Sequence, residues 1–146
     1  MCIIPILLIA MISKCSKRAV EDYLKTLIEK GGDRRYIRTS EVATRLNIKP
    51  PSVTEMFRRL QQLDLVEYKP GVGARLKAKG FKRALQIQRR SSLIQRFLEE
   101  ILGLSEGEAK VEACKLEHVL SDKVMAAIEQ ILSSRKLGTL GENRNP

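Results

Sequence analysis

The sequence has only one histidine, His118, and no tryptophan among its 146 residues. One histidine rules out metal sites that are built from several imidazoles. The three cysteines are an odd number and too few for the disulfide framework of a small secreted protein, so we expect a cytoplasmic protein with reduced thiols. The sequence also lacks a glycine-rich phosphate loop and a serine–histidine–aspartate series, so we expect neither an enzyme nor a small-molecule substrate.

Acidic residues are scarce in residues 1–90. This part holds 8 acidic residues and 20 lysines and arginines, for a net charge of +12. Residues 91–146 hold 9 acidic and 7 basic residues, for a net charge of −2, so the excess of +10 in the whole chain belongs to its first part. This asymmetry predicts a module that binds a polyanion, with nucleic acid as the first candidate, followed by a module with another task. A generally basic proteome is the alternative interpretation.

The longest apolar run, MCIIPILLIAMIS, occupies residues 1–13. It is shorter than the roughly 20 apolar residues that cross a bilayer, and it lacks the basic segment and cleavage site of a signal peptide, so a membrane partner is the less favoured expectation. Three interpretations stay open: an extra packing segment, a weak membrane anchor, or a start codon assigned too early, with Met11 as the alternative start. We treat residues 1–15 as an N-terminal extension.

Three predicted helices follow this extension. Apolar residues recur every three or four positions in residues 16–31, and Gly31-Gly32 ends that helix. Thr39 is predicted to cap the next helix, Asn47 to end it in a left-handed turn, and Pro50-Pro51 to open the third. Two short helices joined by a tight turn are typical of a helix-turn-helix. The second and third helices are predicted over 40–46 and 52–63, with Val53, Met56, Phe57, Leu60 and Leu63 as the buried face of the third.

Residues 65–76 predict a β-hairpin directly after the third helix. One strand covers residues 65–69, a turn covers 70–73, and Ala74-Arg75-Leu76 returns as the second strand. A hairpin in this place is the wing of a winged helix. The predicted fold is therefore mostly α-helical with a small β-wing.

The second half of the sequence predicts three further helices. The first covers residues 79–102, the next runs from the Ser105-x-x-Glu108 capping box to near Leu120, and the last from Ser121 or Asp122 to Leu132. These helices have too few apolar residues to form a stable core by themselves, so we expect their apolar faces to pack against a second copy of the chain. The predicted architecture is a winged helix-turn-helix at 16–80, a helical dimerisation domain at 81–133 and a flexible tail at 134–146.

The only histidine lies in the segment Cys114-Lys-Leu-Glu-His118. Helical positions three and four apart share a face, so the side chains of Cys114, Glu117 and His118 can converge. A thiolate, a carboxylate and an imidazole together form half of a transition-metal site. The alternative is a small buried cysteine beside a surface pair of glutamate and histidine.

Taken together, these segments resemble one known family. The strings SEVATRLNIKPPSVTEMFRRLQQLDLVEY, KAKG and ACKLEHVLSDKV are similar to segments of the diphtheria toxin repressor family of metal-dependent transcription regulators. The likeness covers residues 16–132, and without a third, SH3-like domain the chain is similar to the shorter manganese transport regulators. The resemblance implies a homodimer that binds palindromic, double-stranded operator DNA as a repressor when Fe²⁺ or Mn²⁺ is plentiful.

The resemblance also implies a set of metal ligands, which would give residues 81–133 a metal-sensing role. Cys114, Glu117 and His118 match the ligand trio of iron-type members, and Asp22 matches a first-helix ligand of manganese-type members. One four-ligand site remains, whose donors suit Fe²⁺, Zn²⁺ or Co²⁺ better than Mn²⁺, and zinc would accept all four tetrahedrally. Lys25, Ser91, Gln95 and Lys110 stand where family members carry further ligands, so the second metal position has lost most of its donors.

The same resemblance assigns the DNA contacts to the winged helix. The start of the third helix would read base edges with apolar, hydroxyl and carboxylate groups. Basic side chains around it would hold phosphates and make binding strongly salt-dependent. The base-reading residues are Pro51, Ser52, Thr54 and Glu55, and the phosphate-binding residues are Arg45, Lys49, Arg58, Lys69 and Arg75.

Two other modes of control stay open. Lys25 lies one helical turn from Asp22, and an ion pair between them could replace the metal and leave a metal-independent regulator. A redox switch through Cys15 or Cys114 would make DNA binding respond to peroxide rather than to metal.

Overall fold

A computed structural model describes the backbone of residues 6–139 and the side chains of residues 17–136. Residues 1–5 of the predicted N-terminal extension and residues 140–146 of the predicted tail lie outside the described residues. The chain divides into two compact units, Met1–Ile87 and Gln88–Pro146.

The first unit is a winged helix, as the sequence predicts. Its elements are α1 (Ile6–Glu29), α2 (Thr39–Leu46), α3 (Pro50–Gln62), β1 (Val66–Lys69), β2 (Gly73–Leu76) and the first half of α4 (Ala78–Glu100). The core joins the apolar stripe of α1 to the inner faces of α2, α3 and the hairpin. Phe57 lies at its centre, with its ring centroid 6.4 Å from that of Tyr23 and 5.5 Å from that of Tyr68.

Helix α1 is ten residues longer at its start than the predicted helix. No proline or glycine interrupts the sequence from Ile6 to Glu29, and leucine, methionine and alanine, which favour helix, make up four of the eight residues 6–13. Its end agrees with the prediction, because Gly31 adopts a φ of +80° that a glycine reaches without strain.

The predicted cap of α2 is wrong by one residue. Thr39 is the first residue of the helix and Arg38 is its N-cap. The carboxylate of Glu41 accepts a hydrogen bond from the backbone N–H of Arg38 at 2.9 Å, which ties the third residue of the helix back to its N-cap. The predicted exit is confirmed, since Asn47 adopts a φ of 53° and a ψ of 50°.

Helix α3 opens through two prolines at its first positions, as predicted. Val53, Phe57 and Leu60 are fully buried, but Leu63 is the C-cap and remains 43% exposed, so its predicted place in the buried face is wrong.

The wing is a two-stranded antiparallel sheet in which Val66 pairs with Leu76 and Lys69 with Gly73. The loop before α2 also pairs with β2, because Ile37 and Ala74 exchange two backbone hydrogen bonds of 2.8 and 3.0 Å. The N–H of Leu76 donates to the carbonyl of Gly32 at 2.8 Å in the same way. A Cβ atom at Gly73 would lie 2.2 Å from the carbonyl oxygen of Ile37, so only glycine fits there.

The second unit contains the second half of α4, α5 (Glu106–Leu116) and α6 (Asp122–Thr139). Its separate core is formed by Ile94, Leu98, Ala109, Ala113, Met125, Ile128 and Leu132. The predicted capping box of α5 is confirmed: Ser105 Oγ accepts from the N–H of Glu108, and the Glu108 carboxylate accepts from the N–H of Ser105 at 3.0 Å. Ser121 caps α6 by accepting from the N–H of Val124 at 3.3 Å.

Two predicted helix ends in this unit differ from the structure. Helix α5 ends at Leu116 rather than near Leu120, so Glu117 and His118 lie in the turn that follows it. Helix α6 continues to Thr139 rather than ending at Leu132, so the first six residues of the predicted tail are helical.

Candidate metal centre and nucleic-acid interface

The start of α3 presents a small exposed surface. Burial of Val53 and Phe57 fixes the rotation of the helix, so the side of α3 opposite to them faces outward. Pro51, Ser52 and Glu55 are exposed and Thr54 is half-buried, which is the side predicted to read base edges.

The basic residues around α3 fall into two groups. Arg45 pairs with Glu29 at 3.2 Å, Lys69 with Glu67 at 3.5 Å, and Arg75 donates to the carbonyl of Asp33 at 3.4 Å. In contrast, the side chains of Lys49 and Arg58 are exposed and form no ion pair or hydrogen bond among residues 17–136. These two side chains are therefore the most readily available to a phosphate.

Sequence reasoning missed the contacts that hold the wing to the preceding loop. The hydroxyl of Tyr36 donates to Glu67 at 2.7 Å, and this bond lowers the pKa of the Glu67 carboxyl. The ammonium of Lys69 lies 4.9 Å from the centre of the Tyr36 ring, within the range of a cation–π contact. The loop residue Tyr36 therefore orients two charged side chains of β1.

A second missed contact stabilises the start of α2. The guanidinium of Arg35 donates two hydrogen bonds, of 2.8 and 3.2 Å, to the carboxylate of Glu41. This pair, together with the bond from the Arg38 N–H, lowers the pKa of Glu41 to about 2. The negative charge also lies in the first turn of α2, where the helix dipole favours it.

In the second unit, the structure brings together two of the predicted metal ligands. His118 Nε2 lies 3.4 Å from Glu117 Oε1, and the two side chains are only 4% and 2% exposed. An imidazole beside a carboxylate in a nearly dry position is a donor pair that fits Fe²⁺, Zn²⁺ or Co²⁺.

The other two predicted ligands lie on helices. Cys114 is exposed on α5, one helical turn before Glu117. Asp22 is half-buried on α1, in the first unit, with Lys25 half-buried on the same helix. Their participation in a metal site stays a prediction.

Two residues that stand where family members carry the ligands of a second metal, Gln95 and Lys110, agree with a single metal position. The side-chain amide of Gln95 donates to Glu99 at 2.8 Å, and Lys110 is exposed. Neither offers the carboxylate or imidazole that a second transition metal would need.

An apolar groove of about 480 Å³ lies within the second unit. Large apolar side chains remain exposed around it, among them Leu102 at 57% and Ile131 at 44%. Lys123 is the only charged residue of its lining. A groove this apolar is typical of a surface that another protein covers. Across the described part of the chain, no helix is both long and apolar enough to cross a membrane.

Comparison with known proteins agrees with these features. Residues 17–74 match the family model "Iron dependent repressor, N-terminal DNA binding domain", and residues 77–137 match "Iron dependent repressor, metal binding and dimerisation domain". An uncharacterised helix-turn-helix transcriptional regulator of Methanocaldococcus jannaschii is 40% identical over 120 residues, covering 82% of this chain and 96% of the relative.

Two characterised relatives are more distant. The diphtheria toxin repressor of Corynebacterium glutamicum is 30% identical over 112 residues, covering 77% of this chain and 49% of the relative. The solved structure of a manganese-dependent transcriptional repressor in complex with manganese is 31% identical, has a TM-score of 0.70, and is matched over 78% of this chain and 52% of its own. The chain thus spans about half the length of the diphtheria toxin repressors it matches.

The two family models together cover most of the chain, one on each side of residue 75, and the resemblance drawn from the sequence is confirmed. The chain belongs to the iron-dependent repressor family, whose members are transcriptional regulators.

Proposed function

We propose that this protein is a metal-dependent, DNA-binding transcriptional repressor that acts as a homodimer on palindromic operators in the cytoplasm. The observation that carries the proposal is the buried Glu117–His118 pair, with 3.4 Å between its donor atoms, in the domain that matches a metal-binding family model. Fe²⁺ or Mn²⁺ is the metal that the names of the relatives support.

We assign four ligands to the proposed site: Asp22, Cys114, Glu117 and His118. Glu117 and His118 offer two donors from one turn, and Cys114 lies one helical turn before them. Asp22 completes the set by its resemblance to a first-helix ligand. The bound metal would supply a cross-link between α1 and the second unit, which fixes the DNA-binding surface and removes an ordering cost from operator binding.

The winged helix would supply the contacts to DNA. Exposed groups at the start of α3 would read bases in the major groove, while Lys49 and Arg58 would bind phosphates without breaking an existing ion pair. Arg45, Lys69 and Arg75 would first have to exchange or share their present partners. Pairing through the apolar groove of the second unit would place two α3 helices on successive turns of one DNA duplex.

The test is DNA binding by the purified protein with one addition at a time. The probe is a fluorescent duplex selected from a random library with the Mn²⁺-loaded protein. Chelator, Fe²⁺ under anaerobic conditions, Mn²⁺, Zn²⁺ and peroxide are then compared by fluorescence anisotropy. We expect metal to tighten binding by about tenfold or more, the usual size of a coupling between two ligand sites, and His118→Ala to abolish this gain.

Lys115→Ala is the matched control for that variant. Lys115 is exposed on the last turn of α5 and pairs with Glu112 at 2.7 Å, so its loss changes the same helix without removing a proposed ligand. Equally tight binding with chelator and with every metal would contradict the metal-dependent proposal. It would favour a metal-independent regulator.

The exposed thiol of Cys114 favours one second candidate, a redox-controlled regulator. The peroxide arm of the same experiment distinguishes it. A redox regulator would lose or gain DNA binding with peroxide in the presence of chelator, and Cys114→Ser would remove that response.

A further inference from the structure

Arg90 contacts the turn that carries the proposed metal ligands, although it lies 27 residues before Glu117 in the sequence. Its Nε donates to the backbone carbonyl of Glu117 at 2.8 Å, and its Nη2 donates to the carbonyl of Leu120. Its Nη1 donates to the carboxylate of Asp122 at 3.0 Å. One guanidinium therefore holds two carbonyls of the segment that joins α5 to α6 and the carboxylate of the first residue of α6.

The carbonyl contacts replace helix hydrogen bonds that are absent at this point. In a continuing helix the carbonyl of Glu117 would accept from the N–H of Ser121, but α5 has already ended at Leu116. A positive charge is also favoured at the C-terminal end of a helix. Arginine suits this role because its planar fork offers five donors in a fixed geometry.

The two kinds of contact differ in strength. The side chain of Asp122 is fully exposed, so its ion pair with Arg90 contributes little. The bonds to the two carbonyls are part-buried, and the side chain of Arg90 is only 24% exposed. The carbonyl bonds therefore do most to fix the backbone from which the side chains of Glu117 and His118 extend.

We propose that Arg90 is a positioning residue that holds the Glu117–His118 turn in its metal-binding shape before metal arrives. Arg90 would bind no metal itself and would act through the backbone of Glu117. The inference rests on the proposed metal site, because it concerns the affinity of that site. Groups that orient metal ligands typically contribute about 10–100-fold to metal affinity.

The experiment compares Arg90→Ala and Arg90→Lys with the wild-type chain, and Arg89→Ala serves as the matched control. Arg89 is the neighbouring residue and pairs with Glu129 on α6 at 2.7 Å, and among residues 17–136 it forms no hydrogen bond or ion pair with the turn. Co²⁺ binding is titrated by its visible absorption, and amide hydrogen exchange of residues 117–121 is measured in the metal-free proteins.

We expect Arg90→Ala to bind Co²⁺ about 10–100-fold more weakly and to exchange these amides faster, while Arg89→Ala matches the wild type in both. Arg90→Lys should recover part of the affinity, because an ammonium can reach one carbonyl but not bridge both. Arg90→Lys also serves as the test variant if Arg90→Ala does not fold.

Two results would overturn the proposal, and they are distinguishable. Folded Arg90 variants that bind Co²⁺ as tightly as the wild type, with unchanged exchange, would refute the positioning role and leave the metal site intact. A wild-type protein that takes up no Co²⁺ would refute the metal site. It would then also refute the role of Arg90 in positioning metal ligands.

Discussion

Glu41 is a single carboxylate whose charge supports the start of α2. Its pKa is lowered from 4.5 to about 2, first by the hydrogen bonds from Arg35 and then by the bond from the Arg38 N–H. A lowered pKa in the folded state means that the charged form stabilises the fold above about pH 4.5. This contribution is lost as the pH falls from 4.5 through 2.

We therefore expect Glu41→Gln to lower the free energy of unfolding at pH 7 by up to about 1 kcal/mol, the range of a partly exposed pair. The difference from the wild type should shrink between pH 4.5 and pH 2, because the protonated glutamate resembles glutamine. Urea unfolding at several pH values measures it. Glu55→Gln, a change at an exposed carboxylate of α3, is the control, and a difference that stays constant with pH would contradict the assignment.

Roles of single residues were predictable where they depend on neighbours in the sequence. The left-handed turn at Asn47 and the capping box at Ser105 involve residues at most four positions away. The bond from Tyr36 to Glu67 spans 31 residues, and the bonds of Arg90 span 27 to 32. No spacing rule reveals such pairs, since only the folded chain brings them together.

The start of α4 packs so closely on the preceding segment that one glycine decides its position. A Cβ atom at Gly80 would lie 1.9 Å from the carbonyl oxygen of Leu65. Backbone rather than a flexible side chain blocks that space, so the helix would have to shift away.

We expect Gly80→Ala to lower the free energy of unfolding by about 1–3 kcal/mol or more, the cost of overpacking. Gly107 lies in α5 with nothing near the corresponding position, so Gly107→Ala should raise the stability by up to about 1 kcal/mol. Thermal unfolding of both variants, followed by circular dichroism, measures the contrast. Equal effects of the two substitutions would show that the close approach at Gly80 does not constrain α4.

The sequence predicted that each helix exists more reliably than it predicted where each helix begins and ends. The physical reason differs from one helix end to another. The periodic spacing of apolar residues predicted α1, α3 and α4, because a helix with one buried face has an apolar residue at every third or fourth position. The end of α5 at Leu116 has no local signal such as glycine or proline. There the side chain of Arg90, from α4, donates to the carbonyl of Glu117, which in a longer helix would accept a backbone hydrogen bond.

Considered as a whole molecule, the chain concentrates its positive charge in residues 1–90, which hold a net charge of +12. Each phosphate contact made by a lysine or arginine contributes about 0.9 to the slope of log affinity against log salt concentration. Two such contacts in each protomer would therefore contribute about 2 to the slope per protomer.

We expect the double variant Lys49→Ala/Arg58→Ala to bind the selected duplex more weakly at low salt and to reduce that slope by about 2 per protomer. Lys110→Ala/Lys115→Ala removes the same charge from exposed positions of α5, outside the apolar groove, and should leave the slope unchanged. Anisotropy titrations from 50 to 300 mM salt, which are roughly the range over which such effects develop, measure both. A parallel loss in the two double variants would indicate a general charge effect instead of phosphate contacts.

The pairing of β2 with the loop before α2 has a consequence for how copies of the wing meet one another. The outward-facing amides of Ala74 and Leu76 are already bonded to Ile37 and Gly32, so β2 offers no open edge to a strand from another molecule. The other edge, β1, is only four residues long and carries Glu67 and Lys69. Short, charged or covered edges resist the side-by-side strand pairing that begins aggregation. Wings crowded together along a DNA molecule can therefore remain separate.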